Sequence, residues 1–139
     1  MADATDYKKP IPLPDEASQP FFAGARRHEL MLQKCSSCGA VMWPVKPGCD
    51  RCWSANITWV QASGKGTLYS FTLMHQVLHP GFAAEAPYNI AEVNLAEGLR
   101  ITTNVVGCPN SDLQIGMPLE VTFEDITDEV SLPKFRPAR

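Results

Sequence analysis

Four cysteines in the first half of the chain have a spacing that could bind a metal ion. They form two C-x2-C pairs, Cys35-Ser-Ser-Cys38 and Cys49-Asp-Arg-Cys52, with ten residues between the pairs. Two residues between cysteines allow one tight turn to direct both sulfurs at a single ion, and Zn2+ binds four thiolates at the corners of a tetrahedron. The sequence therefore predicts that Cys35, Cys38, Cys49 and Cys52 bind zinc.

Other chemistries of these cysteines fit the pattern less well. Two disulfides would not persist in a cytoplasmic protein, and a redox C-x-x-C motif would not need a second copy nearby. Iron in a rubredoxin-like site remains the alternative, because tetrahedral sites of four sulfurs accept either ion. Four protein ligands leave no open position for water or substrate, so the predicted zinc is structural.

The fifth cysteine and the three histidines lie in no pattern that indicates a catalytic residue. Cys108 follows a strand-like run and precedes Pro109, which is typical of a buried and inert thiol. His28, His75 and His79 have no Ser, Cys or Asp partner placed by a recognisable motif, so we interpret them as hydrogen-bonded structural or surface residues. The sequence also contains no nucleophile elbow, phosphate-binding glycine loop or metallohydrolase motif.

The segments that must position the cysteines follow one another along the chain. Residues 1–19 are rich in proline and predict an extended arm, and residues 20–34 predict a short helix and a lead-in to the cysteines. We expect the zinc ribbon at 35–60, an OB-fold barrel at 61–130 and a C-terminal tail at 131–139.

The barrel prediction depends on runs of β-branched and aromatic residues separated by Gly, Pro or Asn. The predicted strands are Ile57–Ala62, Gly66–Leu78, Tyr88–Leu95, Leu99–Val106 and Leu119–Ile126. In the second run, apolar residues from Tyr69 to Val77 alternate with Ser70 and Thr72, as a half-buried strand requires. The expected fold is mainly β: a five-stranded Greek-key barrel of the OB type, preceded by a short helix and a zinc ribbon.

Several aromatic side chains have two interpretations. Trp43, Trp53 and Trp59 surround the cysteines and could stack on a base, although a small ribbon also needs bulky cover. The adjacent Phe21 and Phe22 either pack on the domain's own core or dock on another subunit.

Length and charge restrict the class of protein. A chain of 139 residues allows one main core. The net charge is −3, but residues 26–65 hold six basic and two acidic side chains and could attract an anion. The sequence has no run of about 18 apolar residues and no start typical of a signal peptide, so we expect a cytoplasmic protein with no membrane partner.

Specific stretches of the chain carry a further resemblance. They are Phe21-Phe22-Ala23-Gly24, Cys35-Ser-Ser-Cys38-Gly39, Trp43-Pro44, Cys49-Asp-Arg-Cys52, 64–72, Pro87-Tyr88, 97–100 and Ile115-Gly116-Met117. In order and spacing they resemble a family of OB-fold, acyl-CoA-associated proteins with an N-terminal rubredoxin-like zinc ribbon, known as domain of unknown function thirty-five. The resemblance runs from about Phe21 to Pro137. Departures at Trp43-Pro44-Val45 and Cys49-Asp50 alter no ligand.

The resemblance implies a non-catalytic accessory subunit of an acyl-CoA-processing complex, with a thiolase-like or aldolase-like partner. Such a subunit would have no activity alone, because the partner holds the active site, and a CoA thioester would be a ligand of the complex. The four cysteines match the family's zinc ligands. We expect Lys34, Lys46 and Arg51 to lie near the CoA phosphates, where charge-assisted hydrogen bonds would form.

Two other functional classes are considered. Zinc ribbons and OB-folds both commonly bind nucleic acid, but the pI of about 5.5 and the acidic barrel half disfavour such a partner. An independent CoA thioesterase or hydrolase would need a base, a nucleophile or an open metal site, none of which the sequence identifies.

Overall fold

The structure, a computed structural model, describes residues 7–139, so residues 1–6 of the predicted arm lie outside the described residues. Within residues 7–139 the chain forms one α-helix and eight strands. They are α1 Gln19–Arg26, β1 Met31–Cys35, β2 Val41–Met42, β3 Ile57–Gln61, β4 Lys65–Met74, β5 Tyr88–Leu95, β6 Arg100–Thr103, β7 Pro118–Asp125 and β8 Ser131–Pro137. The predicted fold class, mainly β with one short N-terminal helix, is confirmed.

Helix α1 begins after a turn in which the Ser18 backbone N–H donates to Asp15 Oδ1 at 2.8 Å. Pro20 fits its first turn, where a missing N–H costs no helical hydrogen bond. The helix buries Phe21, whose ring lies 4.9 Å from that of Trp43, and Phe22 packs beside it. Both phenylalanines therefore pack on the protein's own core, as one of the two interpretations predicted.

The first sheet surrounds the cysteines and has the strand order β2-β1-β3, with both pairs antiparallel. It begins at Met31, so the lead-in to the cysteines is itself a strand. The run Ile57–Ala62, predicted as the first barrel strand, forms β3 of this sheet because it pairs with β1 from Met31↔Gln61 to Cys35↔Ile57.

The second sheet has five strands in the order β6-β5-β4-β7-β8, all antiparallel to their neighbours. It curls until its two edges meet. There the Val106 N–H donates to the Phe135 carbonyl at 2.8 Å, and the Phe135 N–H donates to the Asn104 carbonyl at 3.1 Å, in a parallel bridge. The first strand of this sheet, β4, lies at its centre, and the bridge joins the segment after β6 to β8. This is the Greek-key arrangement of the OB-type barrel that the sequence predicts.

Strand β8 was not predicted, since residues 131–139 were expected to form a tail. Pro133 and Pro137 are unusual in a strand, because proline donates no ladder hydrogen bond. The strand nevertheless pairs with β7 over its whole length, from Asp125↔Ser131 to Leu119↔Pro137. Phe135 is fully buried and belongs to the main core, so this segment is an essential part of the barrel.

Strand β4 is shorter than predicted and contains a β-bulge. Its pairing with β5 skips Tyr69, between Leu68↔Val93 and Ser70↔Glu92. The extra residue shifts the alternation, so Leu68 and Phe71 both pack on the core although they are three residues apart, while Tyr69 is half exposed. The predicted alternation through Val77 is wrong for this reason and because the strand ends at Met74.

No helix among the described residues is both long enough and apolar enough to cross a membrane.

Candidate metal centre

The first cysteine pair lies on the turn between β1 and β2. Cys35 ends β1, and its N–H donates to the Ala40 carbonyl at 2.8 Å, while its carbonyl accepts the Gly39 N–H at 2.8 Å. Gly39 has a φ of 78°, a conformation that glycine adopts without steric cost. This tight turn directs the sulfurs of Cys35 and Cys38 to one point.

The second pair lies on a similar turn in the loop between β2 and β3. The Cys49 N–H donates to the Ser54 carbonyl at 2.9 Å, and its carbonyl accepts the Trp53 N–H at 3.1 Å. Trp53 takes the position that Gly39 has in the first turn, with a φ of 65°, and its side chain is 89% exposed. A bulky residue therefore holds a left-handed conformation without packing on the protein.

The four sulfurs converge. Cys35 Sγ lies 3.5 Å from Cys52 Sγ, and Cys38 Sγ lies 3.5 Å from Cys49 Sγ. All four lie within 4.8 Å of one another. A tetrahedral Zn2+ with Zn–S bonds of about 2.3 Å needs sulfurs about 3.8 Å apart, so the geometry fits this ion.

Backbone N–H groups act on the sulfurs as well. The backbone N–H of Cys38 lowers the pKa of the Cys35 thiol to about 6, and that of Cys52 lowers the pKa of Cys49. At Cys38 and Cys52 a backbone N–H also lowers the pKa, but hydrogen bonds with neighbouring sulfurs outweigh it. The net pKa is raised at both, to about 12 at Cys52. Two thiols thus favour ionisation, and a divalent cation binds by displacing the remaining protons.

The cluster is half enclosed by the ribbon. Cys35 and Cys49 are buried, together with Ala40 and Met42, whereas Cys38 and Cys52 are exposed. The Arg51 N–H lies 3.4 Å from Cys49 Sγ. Four protein sulfurs complete a tetrahedral shell and leave no vacant coordination position, so this centre can staple the ribbon but cannot activate a substrate.

A glutamine that the sequence analysis did not single out fixes the loop leading into the second turn. Gln33, 4% exposed on β1, donates from Nε2 to the Lys46 carbonyl at 2.7 Å. Its Oε1 accepts the Lys46 N–H at 2.8 Å. A polar side chain in the apolar run Leu30-Met-Leu-Gln was the available signal, because a buried amide must be hydrogen-bonded.

The basic residues predicted near the CoA phosphates lie at different places on the ribbon. Lys46 Nζ is bound to Asp50 Oδ2 at 2.7 Å, and Arg51 is exposed in the second turn. Lys34 is exposed on β1 directly after Gln33. Because successive side chains of a strand point to opposite faces, Lys34 points away from the face on which Gln33 holds Lys46.

The three histidines and Cys108 have the contacts or exposure typical of structural or surface residues. His28 Nε2 donates to Asp125 Oδ1 at 2.9 Å, and His79 Nδ1 accepts the Gly81 N–H at 3.0 Å. His75 is exposed. Cys108 is half-buried and not fully buried as predicted, and this partial burial raises the pKa of its thiol.

The tryptophans of the ribbon divide into two groups. Trp43 and Trp59 pack against the core, which is the covering role that the sequence allowed, whereas Trp53 does not.

A four-sulfur ribbon followed by a closed five-stranded barrel defines the class of zinc-ribbon and OB-fold proteins. Residues 22–58 match the family model described as "ChsH2, rubredoxin-like zinc ribbon domain", and residues 59–124 match "ChsH2, C-terminal OB-fold domain". The chain therefore belongs to the ChsH2-type family, also known as DUF35, and the resemblance inferred from the sequence motifs is confirmed.

Curated relatives differ in length. The chain is 36% identical to a "Probable enoyl-CoA hydratase alpha subunit" of Thermomonospora curvata over 94% of its own length, but it spans only 40% of that relative. It is 36% identical to a "DUF35 domain-containing scaffold protein" of Methanocaldococcus jannaschii, covering 74% of this chain and 73% of the relative. A "Benzoylsuccinyl-CoA thiolase subunit BbsA" of Thauera aromatica is 30% identical, with 80% and 78% covered.

Two solved structures of DUF35 proteins also match the chain. The chain superposes on a chain of the "Ltp2-ChsH2(DUF35) aldolase" with a TM-score of 0.83 and 35% identity, covering 93% of this chain and 100% of that one. A DUF35 protein of Sulfolobus solfataricus shares the fold, with a TM-score of 0.59, 16% identity and coverage of 97% and 90%.

Proposed function

We propose that this protein is a non-catalytic accessory subunit of a cytoplasmic acyl-CoA-processing complex whose partner is a thiolase-like or aldolase-like enzyme. The observation that carries the proposal is the superposition on the DUF35 chain of an aldolase, which extends over 93% of the protein at 35% identity. Relatives named as hydratase, thiolase and scaffold subunits support the same role.

The metal site supports a role without catalysis. Cys35, Cys38, Cys49 and Cys52 would hold one structural Zn2+, which fixes the two turns and the sheet that carries them. A site of four sulfurs supplies neither an activated water nor a position for a substrate carbonyl. Bond making and breaking are therefore assigned to the partner enzyme, and this chain supports the partner's substrate site.

Contact with the CoA moiety is proposed for Lys34, Lys46 and Arg51. Arg51 is exposed and Lys46 is held by an exposed carboxylate, Asp50, from which a phosphate could displace it. Lys34 lies on the opposite face of β1, so its contribution is separable from that of the other two. Single Arg51→Gln, Lys46→Gln and Lys34→Gln variants distinguish them by the Km of the complex for its CoA thioester.

Affinity purification of the tagged protein from its native cells, followed by identification of bound proteins and a zinc assay, tests the proposal. We expect a thiolase-like or aldolase-like enzyme at a fixed ratio and one zinc per chain. Reconstitution should give acyl-CoA turnover that neither protein shows alone. Recovery of nucleic acid in place of an enzyme, or hydrolysis of an acyl-CoA by the purified protein alone, would overturn it.

A further inference from the structure

A cavity that none of the four ribbon cysteines lines lies at the end of the barrel where the sheet closes. It has a volume of ≈ 370 Å³, at the lower end of the range of small-molecule sites. The N-terminal arm, the loop before β5, the segment after β6, and strands β7 and β8 all contribute to its walls. Neither the metal centre nor the proposed CoA contacts use this cavity.

One wall of the cavity is apolar and flat. The rings of Phe82 and Tyr88 lie 5.1 Å apart with an angle of 31° between their planes, and both are half-buried. Val105 and Val106 line the cavity from the closing segment of the barrel. Such walls favour a planar or apolar body in a bound molecule.

Two ammonium groups are directed into the cavity from deeper positions than the carboxylates that face them. The side chains of Lys9 and Lys134 are 12% and 13% exposed, whereas those of Glu85 and Glu124 are 51% and 42% exposed. Lys9 Nζ lies 2.9 Å from Glu85, but Lys134 Nζ lies 4.0 Å from Glu124. The positive charge of Lys134 is therefore poorly neutralised by the protein.

The partner that Lys134 does have is a neutral amide. Its Nζ donates to Asn104 Oδ1 at 2.6 Å, which leaves further donors of the same ammonium group for a ligand. Burial lowers the pKa of Lys134, and the nearby Lys9 adds to that effect while Glu124 and Glu85 oppose it. An anion bound in the cavity would offset the free-energy cost of keeping the buried Lys134 ammonium group charged.

A network of asparagines fixes the polar side of the cavity. Asn89 donates to the Val105 carbonyl at 2.8 Å and to Asn110 Oδ1 at 2.9 Å, and its own Oδ1 accepts the Val105 N–H at 2.7 Å. Asn104 in turn donates to the Asn89 carbonyl. These bonds hold Asn104, and through it Lys134, in one position before any ligand arrives, which reduces the entropic cost of binding.

The arm that brings Lys9 to the cavity is also fixed by close contact. A Cβ on Gly81 would collide with the Lys8 carbonyl, so only glycine allows the arm to pass at this point. Lys9 Nζ lies 5.3 Å from the centre of the Phe82 ring. The second ammonium group is thus held over the aromatic wall.

From this arrangement we infer that the cavity binds a small organic carboxylate with a planar apolar body. Its carboxylate lies between Lys134 and Lys9, and its body packs on Phe82 and Tyr88. The inference is independent of the proposed accessory function, because it needs no partner enzyme and no metal contact.

Calorimetric titration of the protein with benzoate tests the inference, with benzamide and inorganic phosphate as matched probes. We expect benzoate to bind at one site per chain and benzamide to bind at least about tenfold more weakly, since it lacks the charge that the lysines neutralise. Phosphate should also bind more weakly, because it has no apolar body. Lys134→Met should weaken benzoate binding about tenfold or more. Lys65→Met, at an exposed lysine of β4, should leave it unchanged.

Equal binding of benzoate and benzamide, preference for phosphate, or absence of benzoate binding would each overturn the inference. If Lys134→Met does not fold, the wild-type protein still decides the question by NMR. Benzoate should then shift the side-chain amide resonances of Asn104 and Asn110, and unshifted resonances at saturating benzoate would place any binding elsewhere.

Discussion

His28 Nε2 donates a hydrogen bond of 2.9 Å to Asp125 Oδ1, and the imidazole stacks on Phe123 at 5.2 Å between ring centres. His28 follows helix α1 with a φ of 62°, and both partners belong to β7. A single side chain therefore joins the end of the helix to strand β7 of the barrel. The same carboxylate also accepts a hydrogen bond from Ser131 at the start of β8.

The hydrogen bonds from Ser131 and His28 hold the pKa of Asp125 below its usual range. A lowered pKa stabilises the folded state above the unfolded value of about 3.9, and this stabilisation is lost as the pH falls through the folded value. The side chains of Asp125 and His28 are about half exposed. We therefore expect Asp125→Asn to reduce the free energy of unfolding by only about 0.5–1 kcal/mol at pH 7. The difference should begin to shrink below about pH 4 and disappear once the pH falls below the lowered pKa of Asp125 in the folded state. Urea titrations followed by circular dichroism measure it, with the exposed Asp128→Asn as the control. A difference that stays unchanged from pH 7 down to about pH 2 would contradict this assignment.

Removal of one metal ligand should abolish zinc binding. Serine in the Cys49→Ser variant replaces a thiolate by a hydroxyl that is not ionised at neutral pH, so we expect zinc content to fall from one ion per chain to near zero. The three tryptophans of the chain all lie within or beside the ribbon, so their fluorescence reports on this region and should shift to longer wavelength. Cys108→Ser should retain both zinc and fluorescence. Full zinc retention in Cys49→Ser would contradict the ligand assignment.

Gln33→Leu should destabilise the ribbon. The variant leaves the partly buried N–H and carbonyl of Lys46 without their partner, which costs about 1–3 kcal/mol of the free energy of unfolding. Because this loop leads into Cys49, a colorimetric chelator should also extract zinc faster. Gln61→Leu, on the exposed side of β3, is the matched control. Equal extraction rates in the two variants would show that the pair of hydrogen bonds does not support the site.

Trp53→Gly should stabilise the isolated protein. The left-handed conformation costs a residue with a side chain about 1 kcal/mol relative to glycine, and an exposed tryptophan loses little packing when it is removed. The converse variant, Gly39→Ala in the first turn, should destabilise by about the same amount. Urea titrations of both zinc-bound variants test the pair. A loss of stability in Trp53→Gly would show that the indole makes contacts that support the fold.

Features encoded by neighbouring residues could be predicted from the sequence, whereas features made by distant segments could not. The cysteine spacing and the runs of β-branched and aromatic residues are local patterns, and they predicted the metal cluster and the fold class. The bulge at Tyr69 depends on how β4 pairs with β5, and β8 depends on a barrel edge that tolerates Pro133 and Pro137. No pattern of neighbouring residues predicts the bulge or the pairing of β8.

The cavity at the end of the barrel was missed for the same reason. Lys9 and Lys134 lie near opposite ends of the chain, and charge counts along the sequence directed attention to the basic stretch around the cysteines instead. Only the closure of the sheet brings the two ammonium groups to one space. Their burial, which distinguishes them from other lysines, is a property of the folded chain alone.

Closure of the barrel by Phe135 has a consequence during synthesis. The ribbon and its cysteines leave the ribosome early and can take up a metal ion while the rest of the chain is still being made. The barrel forms later, because the strand that seals its open side follows its four other strands in the chain. Until then the apolar interior between β6 and β7 is exposed to solvent and to chaperones. Stop codons a few residues upstream of Phe135 should therefore yield a metal-loaded but aggregation-prone product, a pattern that pulse labelling with solubility fractionation would detect.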